Sequence, residues 1–310
     1  KGHKDRLASF SQEYKAFIKR IRELNPDAAI ICSVGIMGTQ VYPSIELAVN
    51  SYMAETGDHN IHLLKFDEQK HEDGFVADWH PTEATHTKAA KKLVSKIQNI
   101  QRKLDPKRPA IALTFDDGPN TTTSLQVIDL LEKYNVVASF FVIGDNINTN
   151  TAETIRKAYD LGCEIGNHSK THSYMDKMST EDIVAEIEYT SDKIMEITGE
   201  EPKFFRPPYI AFNNTMHEVI DLPFIAGYGA YDWDPSYDAQ KRHDLIMEQI
   251  TDGGIILLHD FEGNGFTIEA LDLLIPALLD EGYQFLTVSK LFEIKEIEPK
   301  EFYVYSNVMQ

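Results

Sequence analysis

Apolar positions in the first hundred residues alternate between helical spacing and short, nearly continuous runs. From residue 9 to residue 24 the apolar side chains recur every three or four positions, which is typical of an amphipathic helix. Helices that alternate with apolar runs indicate a parallel sheet. The predicted elements are helices over 9–24, 43–55 and 82–100 and strands over 28–34 and 61–66. This pattern predicts a partial parallel α/β segment over residues 1–100.

The same alternation continues with more repeats after residue 109. About seven strand–helix units favour a distorted (β/α) barrel over an open sheet. The strand-like runs begin near residues 110, 138, 164, 204, 224, 255 and 284, and the longest helical patterns span 180–198 and 267–281. The predicted divisions are a basic, proline-containing linker over 101–108, the barrel over 109–298 and a C-terminal tail over 299–310.

The charge balance narrows the classes of partner. A formal net charge of -19 argues against nucleic acid and anionic membrane surfaces, because both are bound through basic patches. No run approaches the roughly 20 apolar residues that a membrane-spanning helix needs. Cys32 and Cys163 lie in apolar runs, which predicts buried free thiols. The chain starts at Lys1 without Met or a visible signal peptide, so we expect a fragment or a processed form, and secretion stays open.

Two groups of polar residues stand out against this background. Asp116 and Asp117 follow the apolar run 110–113 and precede a Gly-Pro turn. Two carboxylates at a strand end suit a bound cation, which would use one of them and leave the other as a base. His168 and His172 are spaced i, i+4, which on a helical turn places both imidazoles on one face, within reach of one metal. Taken singly, each group is more often a solvated turn or an incidental pair.

Three further segments follow these groups in a fixed order: Phe-Arg-Pro-Pro-Tyr at 205–209, Tyr-Asp-Trp at 231–233 and Ile-Leu-Leu-His-Asp at 256–260. With them, the region from about residue 108 to about residue 297 resembles the polysaccharide deacetylases of carbohydrate esterase family 4. The Asp-Trp pair resembles the acetylxylan esterase branch of that family. The resemblance implies a distorted (β/α) barrel of about seven strands, with the site at the carboxyl ends of the strands.

The candidate metal ligands are Asp117, His168 and His172. Two nitrogens and one oxygen suit Zn²⁺, our first choice of divalent metal, and tolerate Co²⁺, Ni²⁺ or Mn²⁺. In zinc enzymes with a His-Glu-x-x-His motif, the base lies within the motif. Here that position is Ser169, so the base must come from elsewhere. Asp116 is the candidate, and the family resemblance assigns it that role.

The resemblance also assigns the groups around the reacting acetyl carbonyl. Arg206 would hold the Asp116 carboxylate, and the backbone N–H of Tyr209 would help to stabilise the oxyanion. Leu257 and Trp233 would line a pocket for the acetyl methyl group.

His259 is the predicted general acid, because it follows an apolar strand and a histidine can give up a proton near neutral pH. The acid needs an orienting carboxylate. Asp232 is favoured over Asp234, but the unusual Tyr-Asp-Trp-Asp sequence leaves both open.

The N-terminal segment contains a separate motif. Asp78-Trp79-His80-Pro81 resembles the Asp/His block of SGNH-type carbohydrate esterases. No serine nucleophile in the matching context is visible, so Asp78 and His80 are interpreted as a remnant site without esterase activity. A two-stranded sheet is marginal alone, which predicts that it packs on the barrel or on a partner chain, or that a missing N-terminal part completes it.

These inferences predict a metal-dependent carbohydrate esterase that removes O-acetyl groups from acetylated xylan. One alternative is an N-deacetylase of peptidoglycan or chitin-type N-acetylglucosamine polymers. An alternative of another class is a carbohydrate-binding pseudoenzyme, which metal content and acetate release would distinguish. The resemblance implies a secreted, extracellular or cell-surface bacterial protein.

Overall fold

The computed structural model describes residues 3–101 and 104–310, and side chains within them except those of 3–8, 98, 99 and 101. The chain divides into two compact units, Lys1–Arg102 and Lys103–Gln310. This division falls within the predicted linker 101–108, of which residues 102 and 103 lie outside the described residues. No helix among the described residues is long and apolar enough to cross a lipid bilayer.

The N-terminal unit is a small parallel α/β layer. Strands β1 and β2 pair in parallel from Ile30 opposite Ile61, and β1 carries the buried free thiol of Cys32. Apolar side chains of α1 and α2, among them Ile18 and Val49, pack into the same core. Its elements are α1 (His3–Leu24), β1 (Ile30–Ile36), α2 (Tyr42–Thr56), β2 (Ile61–Glu68) and α3 (Glu83–Gln101). The predicted helices and strands are therefore found, with ends shifted by two residues or fewer except that α1 begins at His3 and was predicted from residue 9.

The C-terminal unit continues the alternation of strands and helices. Its strands are β3 (Ala110–Asp116), β4 (Ser139–Val142), β5 (Glu164–Asn167), β6 (Phe224–Ile225), β7 (Tyr228–Gly229), β8 (Ile255–His259), β9 (Gln284–Leu286) and β10 (Val304–Tyr305). Its helices are α4 (Thr123–Tyr134), α5 (Thr149–Leu161), α6 (Thr180–Thr198), α7 (Asn214–Val219), α8 (Ala239–Gln249), α9 (Gly265–Asp280) and α10 (Val288–Ile294).

The strands of this unit form a distorted parallel barrel around β3. Within residues 104–310 the main sheet runs β5-β4-β3-β8-β7, and β9 pairs with the first residues of β3 on the edge that β4 also uses. Phe205 bridges Asn167 at the end of β5 to Phe224 in β6, and β6 pairs with β10. Every residue of β3 is buried, including the polar Thr114 and Asp116 that follow the apolar run 110–113. The predicted parallel α/β barrel is confirmed.

The last residues are part of the barrel core, which the predicted tail over 299–310 did not anticipate. Tyr305 and Val308 are buried in a cluster with Ile225 and Leu291. The Tyr305 carbonyl accepts the N–H of Ala226, so β10 continues the backbone pairing beyond β6. A strand of two residues is too short for its alternation to be read from the sequence.

Candidate active site

The predicted base, Asp116, ends the central strand and is nearly fully buried. Its Oδ1 lies 2.6 Å from Nη1 of Arg206, whose side chain is also buried. The guanidinium donates further hydrogen bonds to the carbonyls of Ile225 and Ala226 and lies 4.3 Å from the centre of the Phe141 ring. A buried ion pair needs such additional partners, because removing both charges from water is costly. Asp116 is therefore held in one orientation.

The three predicted metal ligands lie together. Oδ1 of Asp117 is 3.5 Å from Nε2 of His168 and 3.3 Å from Nε2 of His172. All three ligand atoms lie within 4.8 Å of one another. Oδ1 of Asp117 is buried, and no described group donates a hydrogen bond to it. A buried carboxylate oxygen without a donor, facing two imidazole nitrogens, fits a divalent cation.

The hydrogen bond at the far side of His168 fixes which nitrogen faces Asp117. Nδ1 lies 2.7 Å from the carbonyl oxygen of Arg206, which can only accept. In the neutral ring Nδ1 therefore carries the proton and Nε2 offers the lone pair that a metal ligand needs. For His172, burial lowers the pKa below its ordinary value and so favours the neutral ring that binds metal.

The two histidines do not lie on a helical turn, and this prediction was wrong. They lie on a loop after β5 in which Ser169 and His172 have positive φ values of 66° and 57°. The Ser169 N–H donates to Oδ1 of Asn167, and the His172 N–H donates to Oγ of Ser169. Side chains thus take the place of the carbonyls that a helix would supply. The i, i+4 spacing still brings both nitrogens to the same point.

The predicted acid, His259, ends β8 and is paired with Asp232. The two side chains are joined by a 2.7 Å hydrogen bond from Nδ1 to Oδ1, and Oδ2 of Asp232 accepts the backbone N–H of His259. Of the two candidates, the structure places Asp232 on the imidazole, while Asp234 accepts the N–H of Ser236. Burial by itself lowers the pKa of His259, but the hydrogen bond and charge of Asp232, with Asp116 and Asp117, raise it to about 9.

Sequence reasoning missed the groups behind Asp232. Its Oδ2 also accepts the hydroxyl of Thr267, 2.9 Å away. Arg242 is nearly fully buried and donates through Nη1 to Thr267 and to Asn264, at 2.8 and 2.6 Å. The signal was present, because Arg242 lies four residues before buried Ile246 on the inward face of α8. A charged residue at an inward position indicates a buried polar network.

The remaining predicted residues are Tyr209, Leu257 and Trp233. Tyr209 has a positive φ of 58°, and its ring lies 4.6 Å from that of His172 and stacks on Tyr174 at 4.1 Å. Leu257 is half-buried in β8. Trp233 is 59% exposed, so its ring does not form the floor of a closed pocket.

Asp78 and His80 belong to the N-terminal unit. Both side chains are exposed, and Asp78 has a φ of 56°. The His80 N–H donates to the carbonyl of Ala77 within a short turn.

The chain is similar to known proteins in both sequence and fold. The family model for polysaccharide deacetylases matches residues 103–222. A family 4 acetyl xylan esterase from Clostridium thermocellum, solved in complex with a cobalt ion, superimposes with a TM-score of 0.63 and 41% identity and covers 65% of this chain and 100% of that chain. The chain belongs to the polysaccharide deacetylase family. The sequence-based resemblance to carbohydrate esterase family 4, whose enzymes are metal-dependent hydrolases, is confirmed.

Two curated members of the polysaccharide deacetylase family show the range of named substrates. The bifunctional xylanase/deacetylase of Pseudobutyrivibrio xylanivorans is 51% identical over 199 residues, which are 64% of this chain and 33% of that protein. The peptidoglycan-N-acetylmuramic acid deacetylase of Bacillus subtilis is 37% identical over 197 residues, or 62% of this chain and 41% of that protein. The chain thus spans less than half the length of these relatives.

Proposed function

We propose that residues 104–310 form a metal-dependent esterase that removes O-acetyl groups from acetylated xylan. The observation that carries this proposal is the convergence of a held carboxylate, three atoms able to bind one metal and a histidine paired with a carboxylate, all following the carboxyl ends of β3, β5 and β8. The preference for xylan rests on the named activities of the xylanase/deacetylase and the acetyl xylan esterase.

Asp117, His168 and His172 would hold the divalent metal, and zinc is our first choice for two nitrogens and one oxygen. When bound, the metal supplies Lewis acidity toward the acetyl carbonyl and makes water a better nucleophile. Asp116 lies beside the ligand Asp117 and takes the proton of the attacking water. Arg206 keeps the Asp116 carboxylate aimed at that water.

The opposite side of the site handles the leaving sugar. As the tetrahedral intermediate collapses, His259 gives its proton to the departing sugar oxygen, and Asp232 stabilises the imidazolium before transfer. The backbone N–H of Tyr209 is the proposed donor to the oxyanion. Trp233 and Leu257 would contact the acetyl group or the sugar that carries it.

Metal removal is the first test. Treating the protein with excess chelator is expected to lower acetate release from acetylated xylan by about 10³-fold or more, because Lewis-acid stabilisation is worth several kcal/mol. Adding back Zn²⁺ or Co²⁺ should restore the rate. Full activity in chelator would exclude the proposed metal chemistry.

The same assay distinguishes the alternatives when it is run in parallel on acetylated xylan and on N-acetylglucosamine oligomers. Faster release from the oligomers would identify an N-deacetylase, an alternative that the similarity to the peptidoglycan deacetylase supports. Metal binding without acetate release from either substrate would identify a carbohydrate-binding pseudoenzyme.

Replacing Asp232 with Asn is expected to shift the pH profile. Without the charge of Asp232, burial dominates and the pKa of His259 falls from about 9. His259 donates its proton only below its pKa, so activity is lost as pH rises through that value. The basic limb of kcat/KM should therefore move to lower pH, and an NMR titration of His259 should move with it. Asp234→Asn, two residues away, is the matched control, and an unmoved limb in Asp232→Asn would contradict the pairing.

For the N-terminal unit we propose no catalytic role for Asp78 or His80. Its two-stranded sheet is proposed to be completed by a partner chain or by a preceding part of the same protein. We also propose that the protein is secreted or displayed at the cell surface, where acetylated plant polysaccharide is found.

A further inference from the structure

Glu186 is a buried carboxylate that the proposed reaction does not use. It lies on α6 and is 8% exposed, on the inward face that also carries Ile183 and Thr190. A carboxylate is seldom buried without partners, because loss of its hydration must be offset by hydrogen bonds.

The partners of Glu186 all lie between the two histidine ligands. Oε2 accepts the backbone N–H of Lys170 at 2.9 Å and that of Thr171 at 2.8 Å. Oε1 accepts the hydroxyl of Thr171 at 2.9 Å. One side chain on α6 thus takes three donors of the segment that joins His168 to His172.

This segment has no helical ladder of its own to hold it. Ser169 and His172 both have positive φ, a conformation that a non-glycine residue keeps only when its surroundings impose it. On the opposite side, the carbonyls of Ser169 and Lys170 accept the N–H groups of Gly144 and Asp145, each at 2.9 Å. The amides are bound by α6 and the carbonyls by the turn after β4.

We propose that Glu186 is a positioning residue for the metal site: it fixes the loop so that Nε2 of His168 and Nε2 of His172 face one ion. This inference rests on the proposed metal-dependent function. Glu186 would determine the geometry of the ligand set and would not contact the substrate. The role depends on the length of the side chain, which places the two carboxylate oxygens at the loop, and the negative charge is secondary.

Two conservative variants distinguish the effect of side-chain length from the effect of charge. Glu186→Gln keeps the side-chain length and one oxygen that accepts both amides. Its NH₂ group can donate to the Thr171 hydroxyl, because that hydroxyl also lies 2.8 Å from Oγ of Ser173 and can donate there instead. Glu186→Asp keeps the charge but withdraws the oxygens by one methylene. Loss of outer hydrogen bonds typically weakens metal binding by about 10–100-fold. We expect that loss in Glu186→Asp and Glu186→Ala, and a Kd within a few-fold of the wild type in Glu186→Gln.

The experiment titrates the metal-free protein with Co²⁺ and follows both the dissociation constant and the visible absorption spectrum, beside thermal unfolding. Glu188→Ala, an exposed glutamate on the same helix, is the matched control. Weakened binding and an altered spectrum in Glu186→Asp, with near-normal values in Glu186→Gln, would support positioning. Loss in Glu186→Gln, or wild-type binding in Glu186→Asp, would overturn it, as would a lowered unfolding temperature without any change in Kd. Failure of the wild type itself to bind Co²⁺ would instead count against the proposed function.

Discussion

Asp116→Asn is expected to reduce kcat on acetylated xylan by about 10²–10⁴-fold while metal binding is retained, because the change removes the proposed general base and none of the three proposed metal ligands. The amide of Asn cannot take the proton of the attacking water. Acetate release and metal content measured on the same preparation would show both effects. Asp221→Asn, an exposed position in the same unit, provides the control for the substitution itself.

The same change leaves Arg206 without its charged partner. Breaking a buried ion pair typically costs about 3–5 kcal/mol, although Arg206 keeps the carbonyls of Ile225 and Ala226. A lower unfolding temperature is therefore expected, and kcat must be measured well below it. A folded, metal-loaded Asp116→Asn protein with near-normal kcat would show that another group is the base.

His259→Ala is expected to slow deacetylation of xylan by about 10²–10⁴-fold, and an activated aryl acetate much less. A sugar alkoxide is a poor leaving group and needs the proton, whereas a nitrophenolate leaves without it. Asp232 should stay in place in the variant, because its Oδ2 keeps the backbone N–H at position 259 and the Thr267 hydroxyl. The comparison of kcat/KM for the two substrates, in wild type and variant, is the measurement. An equal loss on both would rule out proton donation by His259.

The sequence predicted the position of the site because the candidate polar residues come at the ends of predicted strands. In a parallel barrel the carboxyl ends of the strands meet at one face, so the sequence predicted that Asp116 and His259, each near the end of a strand, lie on the same face. The structure shows that their strands are adjacent. The pairing of Asp232 with His259 followed from the family resemblance, and the structure shows the hydrogen bond.

The loop between the histidine ligands could not be predicted from spacing. A helical turn and the observed loop both bring His168 and His172 together, and only the positive φ of Ser169 and His172 distinguishes them. The side chains of Glu186 and Asn167 accept hydrogen bonds from the amides of this loop. The spacing of Glu186 from Ile183 and Thr190 indicates its inward position on α6. The backbone groups that it contacts depend on packing between segments that are distant in the sequence.

The register between β3 and β8 limits how members of this family can vary. Asp116 and His259 are neighbours in one row of the sheet, so the distance between the proposed base and the proposed acid is set by backbone hydrogen bonds. Insertion of a single residue into either strand would turn one of these side chains to the opposite face. The loops that follow the strands have no such constraint. Lineages that come to deacetylate new polymers should therefore differ in the loops that carry Tyr209 and Trp233, with the lengths of β3 and β8 unchanged.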